Sequence, residues 1–319
     1  MSERPLVVLT EKIHPDAVER LQAEVDVRLA PGWDEGSLLC CVGEAQGIIL
    51  RGLGGITRRV MEAAPRLRVI ARHGAGVDNV DLVAARERGV IVTNAPGAPT
   101  LSVAEHAVGL MLAVARRIPL ADAGLRAGDW GVRDRSWGIE LYGRTLGVVG
   151  FGRIGRRVAS ICHHGLGMEV AYHDIQGLLP DPALPARFLP FDEVLQSADV
   201  LTLHVPLGPA TRHLIGRREL ELVKPTAILI NTARGDVIDE AALAEALREG
   251  RLAGAGLDVF GQEPVQGVHP LAAFENVVLT PHIAAMTPDA MRRLAMDAAE
   301  EALAVLSGRR PRYPVVMGT

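Results

Sequence analysis

Residues 145–174, TLGVVGFGRIGRRVASICHHGLGMEVAYHD, constrain the fold more than any other stretch. TLGVVG is a short apolar run bounded by glycine, the pattern of a strand buried in a parallel sheet. Gly150, Gly152 and Gly155 then spell G-x-G-x-x-G between that strand and a helix beginning near Arg153. The first glycine permits a tight turn. The second lets backbone approach a pyrophosphate, and the third lets helix and strand pack closely. The helix N-terminus offers free N–H groups and the positive end of its dipole to a phosphate. EVAYHD reads as a second strand ending in Asp174, about 20 residues beyond the third glycine. An acid there accepts hydrogen bonds from ribose hydroxyls and repels a 2′-phosphate. Strand, turn, helix, second strand and acid agree, which is the context the motif requires. They predict a dinucleotide site that favours NAD over NADP.

The 319 residues suggest about two domains. A hydrophobic content of 48% and a charged content of 23% are those of an ordinary globular protein. Aromatic residues make up only 3%, so the cores are built from Ala, Val, Leu and Ile. A net charge of −4 leaves no basic footprint for nucleic acid. No apolar run reaches ~18 residues, so no membrane span is expected. The amino terminus shows no signal-peptide pattern. Cys40, Cys41 and Cys162 make no disulfide framework, and a cytoplasmic location is expected.

In the first hundred residues, strands are predicted at 5–10, 25–30, 47–50, 68–72 and 91–94. Helical patterns lie between them, at 15–23, 34–42, 58–64 and 82–88. Strands alternating with helices argue an α/β fold with a parallel sheet covered on both faces. Thr57 and Asp81 are candidate N-caps. The connection 71–81, ARHGAGVDNVD, has two readings. It is a glycine turn in which Asp78 caps the next helix, or a loop at the carboxyl ends of the strands whose N–H groups receive a substrate carboxylate. Arg51, just past another strand end, is a second candidate for binding the same anion. Residues 102–118 form a long, mostly apolar helix expected to lie buried between two domains. Ser102 and Glu105 make a capping-box pattern at its start. His106 on that helix reads as a satisfied core histidine. A polar loop is expected at 127–140, where Trp130 and Trp137 either line a cleft or pack a lid.

After Asp174, residues 177–190 are rich in proline and predicted irregular. Helices follow at 191–197, 216–223, 239–250 and 287–307, and strands at 200–205, 227–235, 254–260 and 276–282. Six strands, counted from residue 145, match a full dinucleotide-binding domain. Arg234, Asp258, Glu263 and His282 fall at successive strand ends. Reduction of a 2-keto acid needs that set. An arginine, planar and permanently charged, holds the carboxylate. A histidine gives and takes the proton near neutrality. A carboxylate beside it orients the ring. Asp258 is expected to hold the nicotinamide carboxamide. Cys162, His163 and His164 are adjacent on one helix and do not converge on one point. No metal site is expected, and His204 is placed at a strand end near the cofactor.

In these residues the chain resembles the D-isomer-specific 2-hydroxyacid dehydrogenases, in particular the phosphoglycerate dehydrogenase and hydroxypyruvate/glyoxylate reductase branch. The resemblance rests on ARHGAGVDNVD, SVAEHAVGLMLAVAR, ELYGRTLGVVGFGRIGRRVA, LHVPL, INTARGDVIDEAALAEAL, GAGLDVFGQEP and NVVLTPHIAA, and covers nearly the whole chain. It implies two doubly wound parallel-sheet domains. A Rossmann NAD-binding domain, 99–286, is inserted into a flavodoxin-like substrate-binding domain formed by 1–98 and 287–319. It also implies hydride transfer between NAD(H) and a small D-2-hydroxy or 2-keto acid of the hydroxypyruvate, glyoxylate or 3-phosphoglycerate type. Arg234 then binds substrate, His282 is the acid/base and Glu263 its partner. The implied cofactor contacts are Arg153, Ile154, Asp174, Val205, Thr232, Ala233, Asp258 and Ala284, beside the three glycines. Ala75 and Gly76 offer backbone N–H groups to the substrate carboxylate. A homodimer through the long helix and the loop after it is implied, as is closure of residues 71–78 over the nicotinamide.

Two departures stand out. Many relatives have glycines after the histidine, where this chain has Ala284 and Ala285. The chain also ends at Thr319, so serine feedback through a carboxy-terminal regulatory domain is not expected. Two further functions compete. One is an NAD(H)-sensing corepressor-like scaffold, and the other a dehydrogenase of another small anion such as formate or phosphite.

Overall fold

The computed structural model describes residues 4–52, 54–177 and 183–317. The chain divides into two compact units, Met1–Pro99 with Ala285–Thr319, and Thr100–Ala284. Both are α/β.

The first unit alternates β1 (Leu6–Leu9), α1 (Pro15–Gln22), β2 (Asp26–Leu29), α2 (Glu35–Leu39), β3 (Gly47–Leu50), α3 (Arg58–Glu62), β4 (Val69–Arg72), α4 (Leu82–Glu87) and β5 (Ile91–Thr93). Its strands lie in the order β2-β1-β3-β4-β5 and pair in parallel, a doubly wound arrangement. Alternation along β3 sends Ile48 and Leu50 into a core with Leu38, Val60 and Met61. Ile49 points the other way, into a core with Leu21 and Leu303. Thr57 and Asp81 cap α3 and α4 by accepting from the N–H three residues on, at 3.3 and 2.8 Å. Asp81 rather than Asp78 is therefore the cap of α4.

Among the elements that follow, three belong to the second unit before its sheet begins: α5 (Thr100–Ala115), α6 (Ile118–Arg126) and α7 (Val132–Arg135). The sheet and its helices are β6 (Thr145–Val149), α8 (Arg153–Leu166), β7 (Glu169–His173), β8 (Ala186–Phe188), α9 (Phe191–Ser197), β9 (Val200–Leu203), α10 (Arg217–Leu222), β10 (Ile228–Asn231), α11 (Glu240–Arg248), β11 (Gly254–Leu257) and β12 (Val277–Leu279). The strands run β8-β7-β6-β9-β10-β11-β12, all parallel. The chain then returns to the first unit with α12 (Pro288–Leu306) and β13 (Pro314–Val316). β13 is an antiparallel edge strand beside β5, and α12 packs against α1, β3 and β4. No helix among the described residues is long and apolar enough to cross a membrane.

Four local expectations need correction. The sheet of the second unit has seven strands among the described residues rather than six. The added strand, β8, lies in the stretch predicted irregular, of which residues 178–182 fall outside the described residues. It is three residues long and, among the described residues, pairs only with β7, so its order comes from its neighbour rather than from its own sequence. The long helix stops at Ala115, because Arg117 turns left-handed at φ 51° and Pro119 opens a new helix, α6. It also begins at Thr100, so Ser102 is already inside it and the Ser102–Glu105 pattern is not its cap. The loop expected at 127–140 contains α7. Within its own unit α5 packs on α8 and on β10, β11 and β12.

Candidate active site

The turn after β6 explains its glycines. Gly150 has φ 91°, and a Cβ there would crowd the carbonyl of His204. A Cβ on Gly155 would collide with the carbonyl oxygen of Gly150, so α8 packs on the turn only because that position is bare. Gly152, the N-cap of α8, has no heavy atom within 4 Å of its missing Cβ. That leaves a backbone-lined hollow at a helix N-terminus. Arg153 is exposed at the first helical position, and Ile154 is half-buried against the core.

The acid expected at the ribose is locked to this turn. Asp174 Oδ2 accepts the N–H of Phe151 at 2.7 Å, and Oδ1 accepts the N–H of Gln176 at 2.8 Å. Phe151 in turn stacks on Tyr172, ring centres 3.9 Å apart. Each carboxylate oxygen keeps a further lone pair for an incoming hydroxyl. Thr232 Oγ1 is buried and bonded to nothing among the described residues, and Val205 is half-buried. The cradle that a Cβ would fill, the half-used carboxylate and the unbonded hydroxyl fit a dinucleotide.

His282 and Glu263 form the chemical pair. Glu263 Oε2 lies 2.6 Å from His282 Nδ1. An ionised carboxylate only accepts, so Nδ1 carries the hydrogen and Nε2 is the free nitrogen of the ring. The His282 side chain is 49% exposed, so Nε2 is open to a reactant. Glu263 Oε1 accepts the N–H of Phe260 at 2.9 Å. Burial pushes the Glu263 carboxyl up. The His282 hydrogen bond, the Phe260 N–H and the charges of His282 and Arg234 outweigh it and hold the group below its ordinary value. The charge of Arg234 is thus felt at Glu263.

Arg234 is presented by a turn that Asn231 builds. Asn231 Oδ1 accepts the N–H of Ala233 at 3.0 Å and its Nδ2 donates to the Arg234 carbonyl at 2.8 Å. Arg234 Nη1 donates to the Ala233 carbonyl at 2.6 Å. Sequence reasoning passed over Asn231, although a polar residue closing the run AILIN, and buried to 1% exposure, is the available signal.

Asp258, expected to hold a carboxamide, also makes a set of bonds within the chain. It is fully buried. Its Oδ1 accepts from Thr280 Oγ1 at 2.6 Å and the N–H of Ile283 at 2.9 Å, and its Oδ2 from the N–H of Ala284 at 2.9 Å. Burial raises the carboxyl, but His106, Thr280 and these two N–H groups outweigh it and hold it low. Its contacts organise the chain on either side of His282. Thr280, another residue the sequence did not single out, sits just past β12.

The remaining candidates lie in the first unit, apart from the cysteine and histidines of the second. Arg51, beyond β3, donates to the carbonyl of Lys12 and contacts Met291 Sδ at 3.8 Å. The loop after β4 is held by Asn94 Nδ2 donating to the Ala75 carbonyl at 2.6 Å and by Ala95 N–H donating to the Gly74 carbonyl at 2.9 Å. Ala75 and Gly76 are half-buried. Cys162 is buried, its thiol pushed up to about 12 by that burial, and its sulfur lies 3.9 Å from Met111 Sδ. His163 bonds the carbonyl of Met168 at 3.0 Å. His204 shares a 2.9 Å hydrogen bond with Thr202 Oγ1.

Residues 108–284 match the family model described as D-isomer specific 2-hydroxyacid dehydrogenase, NAD binding domain. A D-3-phosphoglycerate dehydrogenase of Methanocaldococcus jannaschii is 43% identical over 95% of this chain and 57% of its own length. The chain thus spans little more than half of that relative. A glyoxylate reductase of Aeropyrum pernix is 41% identical over 97% of this chain and 95% of its own. A solved structure of a Thermus thermophilus protein is 44% identical, covers 98% of this chain and 100% of its own, and superposes with a TM-score of 0.89.

Proposed function

This chain belongs to the D-isomer-specific 2-hydroxyacid dehydrogenase family, and we propose that it is an NAD-dependent oxidoreductase of small D-2-hydroxy and 2-keto acids, of the glyoxylate, hydroxypyruvate or 3-phosphoglycerate type. One observation carries the reading: a histidine with a free Nε2, fixed at Nδ1 by a carboxylate 2.6 Å away.

The nicotinamide supplies or accepts the hydride when it is bound. Arg234 binds the substrate carboxylate and polarises the neighbouring carbonyl through a planar, permanent charge. His282 Nε2 donates the proton that the carbonyl oxygen takes up on becoming a hydroxyl, and recovers it in the reverse direction. Glu263 holds the ring in the Nδ1–H form and stabilises it when it carries both protons. Gly150, Gly152, Arg153, Ile154 and Gly155 receive the pyrophosphate. Asp174 takes the adenosine ribose and disfavours a 2′-phosphate. Thr232, Val205, Ala233, Asp258 and Ala284 complete the cofactor's surroundings.

The second unit is in this reading the dinucleotide domain, and the first the substrate domain, to which Arg51, Ala75 and Gly76 belong. Among the described residues nothing accepts from the N–H groups of Ala75 and Gly76, which supports their use by a carboxylate. Homodimerisation through α5 and the following segment is supported by the exposure of Leu101, Ile118, Leu125, Trp130 and Trp137. We place the protein in the cytoplasm.

The test follows NADH oxidation with glyoxylate, hydroxypyruvate, phosphohydroxypyruvate, pyruvate and bulkier 2-keto acids, repeated with NADPH and with His282→Asn. Turnover of at least one acid with NADH, lost by at least about a hundredfold in the variant, is the expected result. Tight NADH binding with no turnover of any acid would favour the sensing scaffold, and full activity in His282→Asn would remove the assigned acid.

A further inference from the structure

His282 is held in a conformation that a side chain avoids. Its φ is 54°, in the left-handed region, which a residue other than glycine adopts at a cost and keeps only when its surroundings impose it. The imposing contacts converge on one buried residue, Asp258, through its backbone carbonyl and its carboxylate. The N–H of His282 is shared between the carbonyls of Asp258 and Thr280 at 2.8 and 3.0 Å. The next two N–H groups, of Ile283 and Ala284, donate to the Asp258 side chain. Asp258 therefore grips three consecutive N–H groups and fixes where the imidazole stands.

That grip is itself braced from a helix far away in sequence. The Thr280 hydroxyl has one hydrogen, and the 2.6 Å contact with Asp258 Oδ1 uses it. Toward His106 Nε2, 2.9 Å away, the same oxygen can only accept. Nε2 of His106 must then be the donor, whichever charge the ring carries. It also lies 3.4 Å from Asp258 Oδ1. The result is a one-way chain from His106 Nε2–H to the Thr280 hydroxyl to the Asp258 carboxylate, in which each bond polarises the next. Thr280 is a firm link, because its own N–H donates to the Leu257 carbonyl at 2.9 Å across the strand ends.

We propose that His106 and Thr280 are positioning residues for the reaction, aligning the His282 ring by bracing the buried carboxylate of Asp258, the residue whose carbonyl and side chain hold the backbone at and just after His282. A histidine filling core space would be replaceable by any side chain of its volume. A brace requires an N–H donor at that point and a hydroxyl at position 280. The proposal rests on the reading of His282 as the acid, and its test separates the two.

The first measurement is the imidazole 15N spectrum of the cofactor-free protein. His106 is expected with hydrogen on Nε2, and a ring found with Nε2 bare overturns the brace. The second is a set of variants assayed with the keto acid that the wild type uses. Thr280→Val, which keeps shape and removes the hydroxyl, is expected to lower kcat by roughly tenfold, since small displacements of a reacting group are costly. Its KM for NADH should stay within about twofold. Thr280→Ser restores the hydroxyl and should recover most of the loss. His106→Gln, which keeps a donor, should exceed His106→Leu. If Thr280→Val fails to fold, the spectrum and the His106 pair still decide. Equal kcat in the Val and Ser variants, with His282→Asn inactive, overturns the brace and leaves the acid assignment standing. Full activity in His282→Asn overturns the acid assignment and the brace with it.

Discussion

Gly235 lies flat against Phe260. A Cβ on Gly235 would overlap the carbonyl carbon and oxygen of Phe260, and the nitrogen of Gly261 beyond them. This contact joins the turn that presents Arg234 to the loop that presents Glu263, because Glu263 Oε1 accepts the N–H of Phe260. Two of the three proposed chemical residues are thus set relative to each other by an absent side chain.

Gly235→Ala is expected to force the two loops apart. Relief of such an overlap costs roughly 1–3 kcal/mol, read as a lower urea midpoint. Turnover should fall further than stability alone explains, because the Arg234 and Glu263 loops move apart. An alanine variant with wild-type midpoint and wild-type kcat would show that the loops move freely.

The carboxyl of Glu263 is held below its ordinary value by its hydrogen bonds and neighbouring charges against the pull of burial. The unfolded chain takes up that proton at about pH 4.3. The stabilisation is therefore complete above that pH and disappears as the pH falls through the lower folded value. Glu263→Gln should show a stability deficit that is constant above about pH 5 and closes in acid. Its kcat should drop by the order of a hundredfold, since the ring loses its orienting partner. Denaturation and initial rates measured from acid to neutral pH check both. A deficit that does not change with pH would deny the ionic character of the pair.

Asp174 is bonded to the glycine turn through the Phe151 N–H, so its loss should act on selectivity and on the turn together. Asp174→Ala should relax the NAD-to-NADP preference in kcat/KM by about tenfold. It should also destabilise the fold by about 1 kcal/mol, the ordinary worth of a hydrogen bond, seen as a lower urea midpoint. An unchanged cofactor ratio would mean that another group reads the ribose.

His73 in the first unit is 4% exposed. Burial, with the nearby charges of Arg51 and Arg72 adding to it, pushes its imidazole down to about 4. The unfolded chain binds a proton near pH 6.5 that the folded chain refuses, so stability is full above about 6.5 and falls as the pH drops toward the folded value. The accumulated loss is about 3 kcal/mol. His73→Gln should flatten urea midpoints between about pH 7 and about pH 4. Parallel slopes for wild type and variant would show that His73 is reached by water.

Much of this was legible in the chain itself. The glycines at 150, 152 and 155, the alternation of apolar runs with helical patterns, and the acid at 174 are local signals. Each is read within one strand, turn or helix, where spacing and backbone sterics suffice. The caps at Thr57 and Asp81 were legible for the same reason. The breaks were less so. Pro119 was visible, but the sequence carries no mark that Arg117 would turn left-handed ahead of it. β8 has too few residues to declare itself and takes its order from β7.

Arg234, Glu263 and His282 were found by residue type at strand ends, yet nothing in their spacing states that Glu263 and His282 meet at 2.6 Å. Position 258 was read for a ligand, and nothing in its spacing states that its carboxylate also accepts from Thr280, Ile283 and Ala284. His106 reads as a core residue until the packing of α5 on β11 and β12 puts its Nε2 against Thr280. The sequence determined the elements, their order and the chemical types at the strand ends, because those depend on neighbours within a few residues. Only the tertiary structure decided which donor meets which acceptor. Such pairing joins residues far apart in the chain, and burial makes an unpartnered charge too costly to leave alone.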